Sequence, residues 1–236
     1  MSTTRLTSDR YLELFHQDGE RLLAVAEDGS SLPVPACAGW AVDDLVVHLG
    51  TVYSNKVAVL RLGRRAEPGE WDVPGDEADA GAHLAWCHAM LHTLAGLLAA
   101  HAPDESAWSW GPEQTVGFWQ RRMAHETAIH RIDAEAAAGQ VMPVADDLAL
   151  DGIDELFSVF VRSDAFDAAP VLESDDETAR VRVRVLGEEV VVSGSAPDVL
   201  LWLWGRPSGR GERDGVVIEG SPTAVAELVR ILRERT

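Results

Sequence analysis

Between Arg121 and Glu135 the chain reads as one helix that sets a carboxylate and an imidazole four residues apart. On a 3.6-residue period Glu126 and His130 lie one turn apart on the same face. Trp119, Met123 and Ala137 continue that row at steps of three and four, so the face is otherwise apolar. A face meant for a core should not carry two ionisable groups unless they are paired or bind a metal. The fold must therefore bring this helix further partners, and function is sought here first.

A shorter reading fails on geometry. The string from His125 to His130 looks like the zinc-protease signature H-E-x-x-H with one residue too many. In that signature the histidines are four apart and converge on one ion. Here they are five apart, about 140° around the helix, and cannot share a metal. The converging pair is Glu126 and His130, with His125 turned aside.

The surrounding pattern supplies the partners. A first helix spans about 8–27, with Ser8 as its expected N-cap, and a second spans about 42–62, with Asp43 and Asp44 in its first turn. A third covers about 77–101 and a fourth about 115–138, ending before Gly139. Four long helices predict a four-helix bundle, a fold that builds metal sites from facing side chains. A fifth helix, about 146–162, bridges to a different pattern. Val181, Val183 and Val185 alternate with arginines, a turn is expected at Gly187-Glu188, and Val190-Val191-Val192 starts a return strand. A helix at 197–204, a strand at 215–219 and a helix at 222–234 complete the tail. The class is α+β, with a helical domain over 1–145 and a small α+β domain over 146–236.

All eight histidines fall within the first 130 residues, so imidazole chemistry belongs to the bundle. His48 on the second helix, flanked by Leu45 and Val52, is the best third ligand beside Glu126 and His130. Two histidines and a carboxylate suit zinc with an open position, and other divalent transition metals as well. A hydrogen-bonded core histidine and a plain surface Glu–His pair are the alternatives. His88 and His92, also four apart, are candidates for core, outer support of the site, or the site itself. Asp133, three residues after His130, either orients that ligand or pairs with an arginine. Arg122, four before Glu126, reads as an ion pair on the helix face. Trp108, Trp110 and Trp119 read as pocket walls or core anchors.

A net charge of −19 offers no basic footprint for nucleic acid and no attraction to an anionic membrane. The acidic excess is shared by both halves, so it reads as solubility. Cys37 and Cys87 are too few for a disulfide framework or a cysteine zinc site, and neither lies in a motif that would make it a nucleophile. No apolar signal core precedes the first helix and no run approaches a membrane span, so a cytoplasmic location is expected.

Trp40 to Leu49, then Phe118-Trp119-Gln120-Arg121-Arg122 leading to Glu126-x-x-x-His130-Arg131-Ile132-Asp133, resemble the mycothiol-dependent maleylpyruvate isomerase family. Val190 to Ser195, followed by Leu203-Trp204-Gly205-Arg206, is similar to that family's C-terminal domain. The resemblance implies a DinB-like metal-binding bundle followed by a small α/β domain like sterol-carrier proteins. It places zinc ligands at His48, Glu126 and His130, the three residues that the helix faces select. It also implies mycothiol as the thiol cosubstrate and a small-molecule substrate. The family grips its anionic substrate with an arginine after the second helix. Here Arg64 and Arg65 come early in that connector and no other basic residue follows in it. The expected chemistry is thiol-assisted cis–trans isomerisation or thiol S-transfer. A metal-dependent hydrolase with a zinc-bound water and a non-catalytic binding or regulatory module are the rival readings.

Overall fold

The computed structural model of the chain describes residues 5–75, 77–161, 165–175, 178–206 and 215–234. The first four residues and residue 162, the expected end of the fifth helix, lie outside them. Two compact units result: Thr7–Met142, and a second built from Pro143 onward with Arg5 and Leu6.

The first unit consists of α1 (Ser8–Gly29), α2 (Val42–Leu62), α3 (Ala80–Ala100) and α4 (Val116–Ala138). Local chemistry sets the ends. Thr7, not Ser8, caps α1: its backbone is extended, and its hydroxyl accepts the Arg10 N–H at 3.3 Å. Asp79 caps α3 by accepting the Ala82 N–H at 2.9 Å, which moves the start from 77 to Ala80. Thr115 caps α4 in the same way through the Phe118 N–H. Gly63 and Gly139 close α2 and α4 with φ of 66° and 71°, which glycine adopts without a Cβ clash.

Helix α1 lies against α4 and α3, and α2 against α3. The core between them holds Phe15 and Leu22 from α1, Leu45 and Tyr53 from α2, Leu91 and Leu94 from α3, and Trp119 and Met123 from α4. Phe15 meets the Tyr53 ring edge to face at 5.4 Å, and the Tyr53 hydroxyl bonds to Thr127 Oγ1 at 2.6 Å. Gly50 lets α2 and α3 approach, because a Cβ there would fall 2.2 Å from the Trp86 ring.

The second unit begins with α5 (Asp146–Glu155), which continues as a single π turn over Leu156–Phe160. Four strands follow as one antiparallel sheet in the order β1 (Ala168–Ser174), β2 (Ala179–Val185), β3 (Glu188–Gly194), β4 (Val216–Glu219). Helices α6 (Ala196–Leu203) and α7 (Pro222–Arg233) complete the unit. In β2 the valines are buried, while Arg180 and Arg184 between them are exposed, as period two requires. The hairpin turn is Leu186-Gly187, one residue earlier than expected. Both residues have positive φ, 56° and 77°, the backbone of a type I′ turn that follows the strand twist. Strand β1 escapes the sequence pattern because it is a largely exposed edge with only Pro170 and Leu172 less exposed than their neighbours, and the edge position tolerates Pro170. The chain is thus α+β, and no helix among the described residues is long and apolar enough to cross a membrane.

Candidate metal centre

Helix α4 is enclosed on nearly every side. From Val116 to Glu135 every residue is buried except Gly117, Glu126 and His130. This inverts one expectation: the row through Trp119 and Met123 is not a core face interrupted by two ionisable groups. Those two groups mark the opening in an otherwise covered helix. Among the charges buried elsewhere on it, Arg131 and Glu135 find partners on α1 and on α4 itself. Arg131 bonds to Asp18 at 3.1 Å and to Glu135 at 2.8 Å, and Glu135 also takes Arg21. His125 packs its ring edge to face with Tyr11, away from the opening.

At that opening α2 supplies His48. Its Nε2 lies 3.2 Å from Glu126 Oε1, and His130 Nε2 lies 3.5 Å from the same oxygen. The two imidazoles are 4.8 Å apart between centroids and nearly perpendicular. One ligand atom from each of the three residues lies within 4.8 Å of the others. Two ligands bonded at tetrahedral angles to one zinc stand about 3.4 Å apart, given zinc–nitrogen and zinc–oxygen bonds near 2.0–2.1 Å. The observed spacings fit that size. All three side chains are partly accessible, His48 most at 33% and His130 least at 13%, so a further position faces solvent.

Outer contacts hold Glu126 and His130 in one orientation each. Asp133, whose side chain is 0% exposed, accepts from His130 Nδ1 at 3.1 Å and leaves Nε2 toward the centre. Arg122 donates to Glu126 Oε2 at 2.8 Å, so Oε1 alone faces the two histidines. The Trp40 ring lies 5.4 Å from that of His48, and Cys37 Sγ lies 3.8 Å from Asp133 Oδ2. Burial works to raise the Glu126 carboxyl. Hydrogen bonds from His130 and His48 and the Arg122 charge overcome it, holding the group well below the usual carboxylate range. Burial also opposes a charge on His130, but Asp133 and Glu126 outweigh it and raise the imidazole to about 9. The position between Nε2 and Oε1 favours positive charge, which a proton or a cation can supply.

The other expected residues fall elsewhere. His88 and His92 do not join this centre: they lie on α3 beside His16 and Glu20 of α1. Arg64 is held on the surface by the Glu70 carboxylate through contacts of 2.6 and 2.8 Å, and Arg65 is exposed. Trp119 is a core residue whose Nε1 donates to the Trp108 carbonyl, whereas Trp110 is half-exposed against Phe118.

Lys56 escaped the sequence reading. It lies two turns after His48 on α2, with Nζ 4.6 Å from the centroid of the Trp119 ring. Its hydrogen bond is to Asn55 Oδ1 at 2.7 Å, and no carboxylate pairs with it among the described residues. Burial lowers its ammonium to about 8, although the Glu126 charge pulls the other way. The available signal was composition joined to spacing: Lys56 is the only lysine in a chain with 19 arginines, at i+8 from a ligand candidate.

Two family models match the chain. The mycothiol maleylpyruvate isomerase N-terminal domain matches residues 12–135, which include every residue of this centre. The MDMPI C-terminal domain matches residues 147–227. No curated protein and no solved structure gives a match.

Proposed function

The chain belongs to the mycothiol maleylpyruvate isomerase family, and on that premise we propose a metal-dependent enzyme that uses a low-molecular-weight thiol, with mycothiol the first choice. The observation that carries this reading is the meeting of His48 Nε2, Glu126 Oε1 and His130 Nε2 at a partly open position. A divalent transition metal, zinc before others, would be held by these three side chains and would lower the pKa of a bound thiol toward neutrality.

The chain's own residues serve that chemistry in distinct ways. Asp133 fixes the His130 tautomer, and Arg122 orients Glu126 and, after His130 and His48, helps keep it ionised. Lys56 supplies an ammonium for a carboxylate of the substrate, a role that the surface-bound Arg64 does not fill. In the isomerisation the thiolate sulfur adds to one carbon of the cis double bond, and the electron pair moves onto the conjugated carbonyl. Rotation about the resulting single bond and expulsion of the thiolate give the trans product and return the thiol unchanged. Buried Cys87, its thiol pushed up to about 12, is no substitute for an external thiol.

Elemental analysis of the purified wild type beside His48→Ala and Glu126→Ala tests the centre. Each variant is expected to carry one equivalent of metal less. Equal content in all three overturns the site. Turnover of maleylpyruvate with and without mycothiol tests the chemistry, and thiol-independent turnover overturns the isomerase reading.

A further inference from the structure

Four titratable side chains outside that centre meet on the outer side of the bundle. His16 and Glu20 are four residues apart on α1, and His88 and His92 four apart on α3, so each helix presents a one-turn pair to the other. Three Nε2 atoms surround Glu20 Oε1: that of His92 at 3.0 Å, and those of His16 and His88 at 3.8 Å each. His88 and His92 Nε2 are 3.2 Å apart, and the His16 and His92 rings 5.1 Å apart between centroids.

Glu20 Oε1 is the telling atom. It is shielded from solvent and has no hydrogen-bond partner, although three imidazole nitrogens lie within 4 Å. His16 and His88 at 3.8 Å are too far to donate, and His92, although 3.0 Å away, makes no hydrogen bond to it. A buried carboxylate oxygen left in that condition is costly. A cation among these groups would satisfy the oxygen together with the Nε2 lone pairs that the rings present in their Nδ1–H tautomers.

We propose that His16, Glu20 and His92 form a second metal site that joins α1 to α3, with His88 within reach as fourth ligand. The two histidines and one carboxylate of the core set each offer an atom within 4.8 Å of the others, the span of ligands around one ion. Imidazole-rich donors select zinc, cobalt, nickel or copper(II) and not calcium or magnesium, which take oxygen ligands. The histidines are about half-exposed, so the ion enters from solvent without opening the core. With every donor on α1 or α3, the site acts as a clip between two helices, stabilising the native state by mass action.

Zinc alone, titrated into chelator-stripped full-length protein, tests the proposal by calorimetric stoichiometry and by melting temperature. The wild type is expected to bind two equivalents. His16→Ala/His92→Ala is expected to bind one and to keep its secondary structure, because both side chains lie on the surface. Glu20→Gln, which preserves shape, is expected to weaken the same equivalent. His48→Ala/Glu126→Ala is expected to retain this equivalent and its rise in melting temperature. One equivalent in the wild type that survives His16→Ala/His92→Ala overturns the second site while leaving the first intact. The reverse pattern overturns the first site and upholds the second.

Discussion

His130 Nδ1 donates to the wholly buried Asp133 across 3.1 Å, and this bond sends the opposite nitrogen of the ring toward Glu126. Replacing Asp133 by Asn keeps the shape but removes the anionic acceptor. Asp133→Asn is expected to lower zinc affinity at the His48/Glu126/His130 centre by about 10–100-fold, as loss of a ligand's outer partner does. Competition with a chromogenic chelator measures this, and unchanged affinity would deny Asp133 its orienting role.

Lys56 gives the pH dependence. Its ammonium titrates near 8 in the folded chain, and a lysine in the unfolded chain near 10.5. The unfolded state therefore binds more protons between these values, and this group makes stability rise with pH across that window. Its grip on an anionic substrate moves the opposite way, fading as pH rises through about 8. KM should climb above pH 8 in the wild type and be high but flat in Lys56→Met. A profile unchanged by that substitution would remove Lys56 from substrate binding.

The same lysine predicts selective labelling. At pH 8.5 an amine-directed reagent should modify the Lys56 side chain readily, since it is the chain's one lysine and is largely neutral there. A saturating anionic substrate should protect it. Peptide mass mapping with and without substrate distinguishes protection from mere burial.

Arg131 tests the buried charges behind the site. Its side chain is 1% exposed, bonds to Asp18 and Glu135, and also reaches the Met142 carbonyl. Arg131→Met leaves two buried carboxylates without that partner, and should destabilise the first unit by about 3–5 kcal/mol. Urea denaturation followed by tryptophan fluorescence reads the change. A loss under about 1 kcal/mol would show that Arg21 alone satisfies the pair.

The cysteines should differ sharply. Cys87 is buried, with its thiol raised to about 12, and Cys37 is partly accessible. Iodoacetamide at pH 8 should alkylate Cys37 in the native protein and reach Cys87 only after unfolding. Equal rates at the two positions would contradict the burial of α3 at Cys87.

Spacing together with the family resemblance made the candidate centre legible: Glu126 and His130 repeat at four, His48 sits between apolar neighbours on a second helix, and the resemblance points to the same three residues. What stayed hidden was set by distant partners. Arg131 and Glu135 look like surface residues until Asp18 and Arg21, more than a hundred positions earlier, come against them. The His16/Glu20 pair had the same four-residue step as His88/His92, but only the packing of α1 on α3 makes them one cluster. Strand β1 gave little to read, because at the sheet edge only Pro170 and Leu172 are partly covered, too short a run to impose a period.

The near-complete enclosure of α4 bears on how the proposed centre would come to hold an ion. Glu126 and His130 are carried by a helix most of whose other residues are buried in the core, so the donors would be in place before any ion arrives. Loading of the proposed centre would then be a diffusional encounter with a preset receptor, not a folding event, and its rate should follow ion concentration in a single phase. Release would proceed by exchange through the open side, leaving the bundle intact for the next ion.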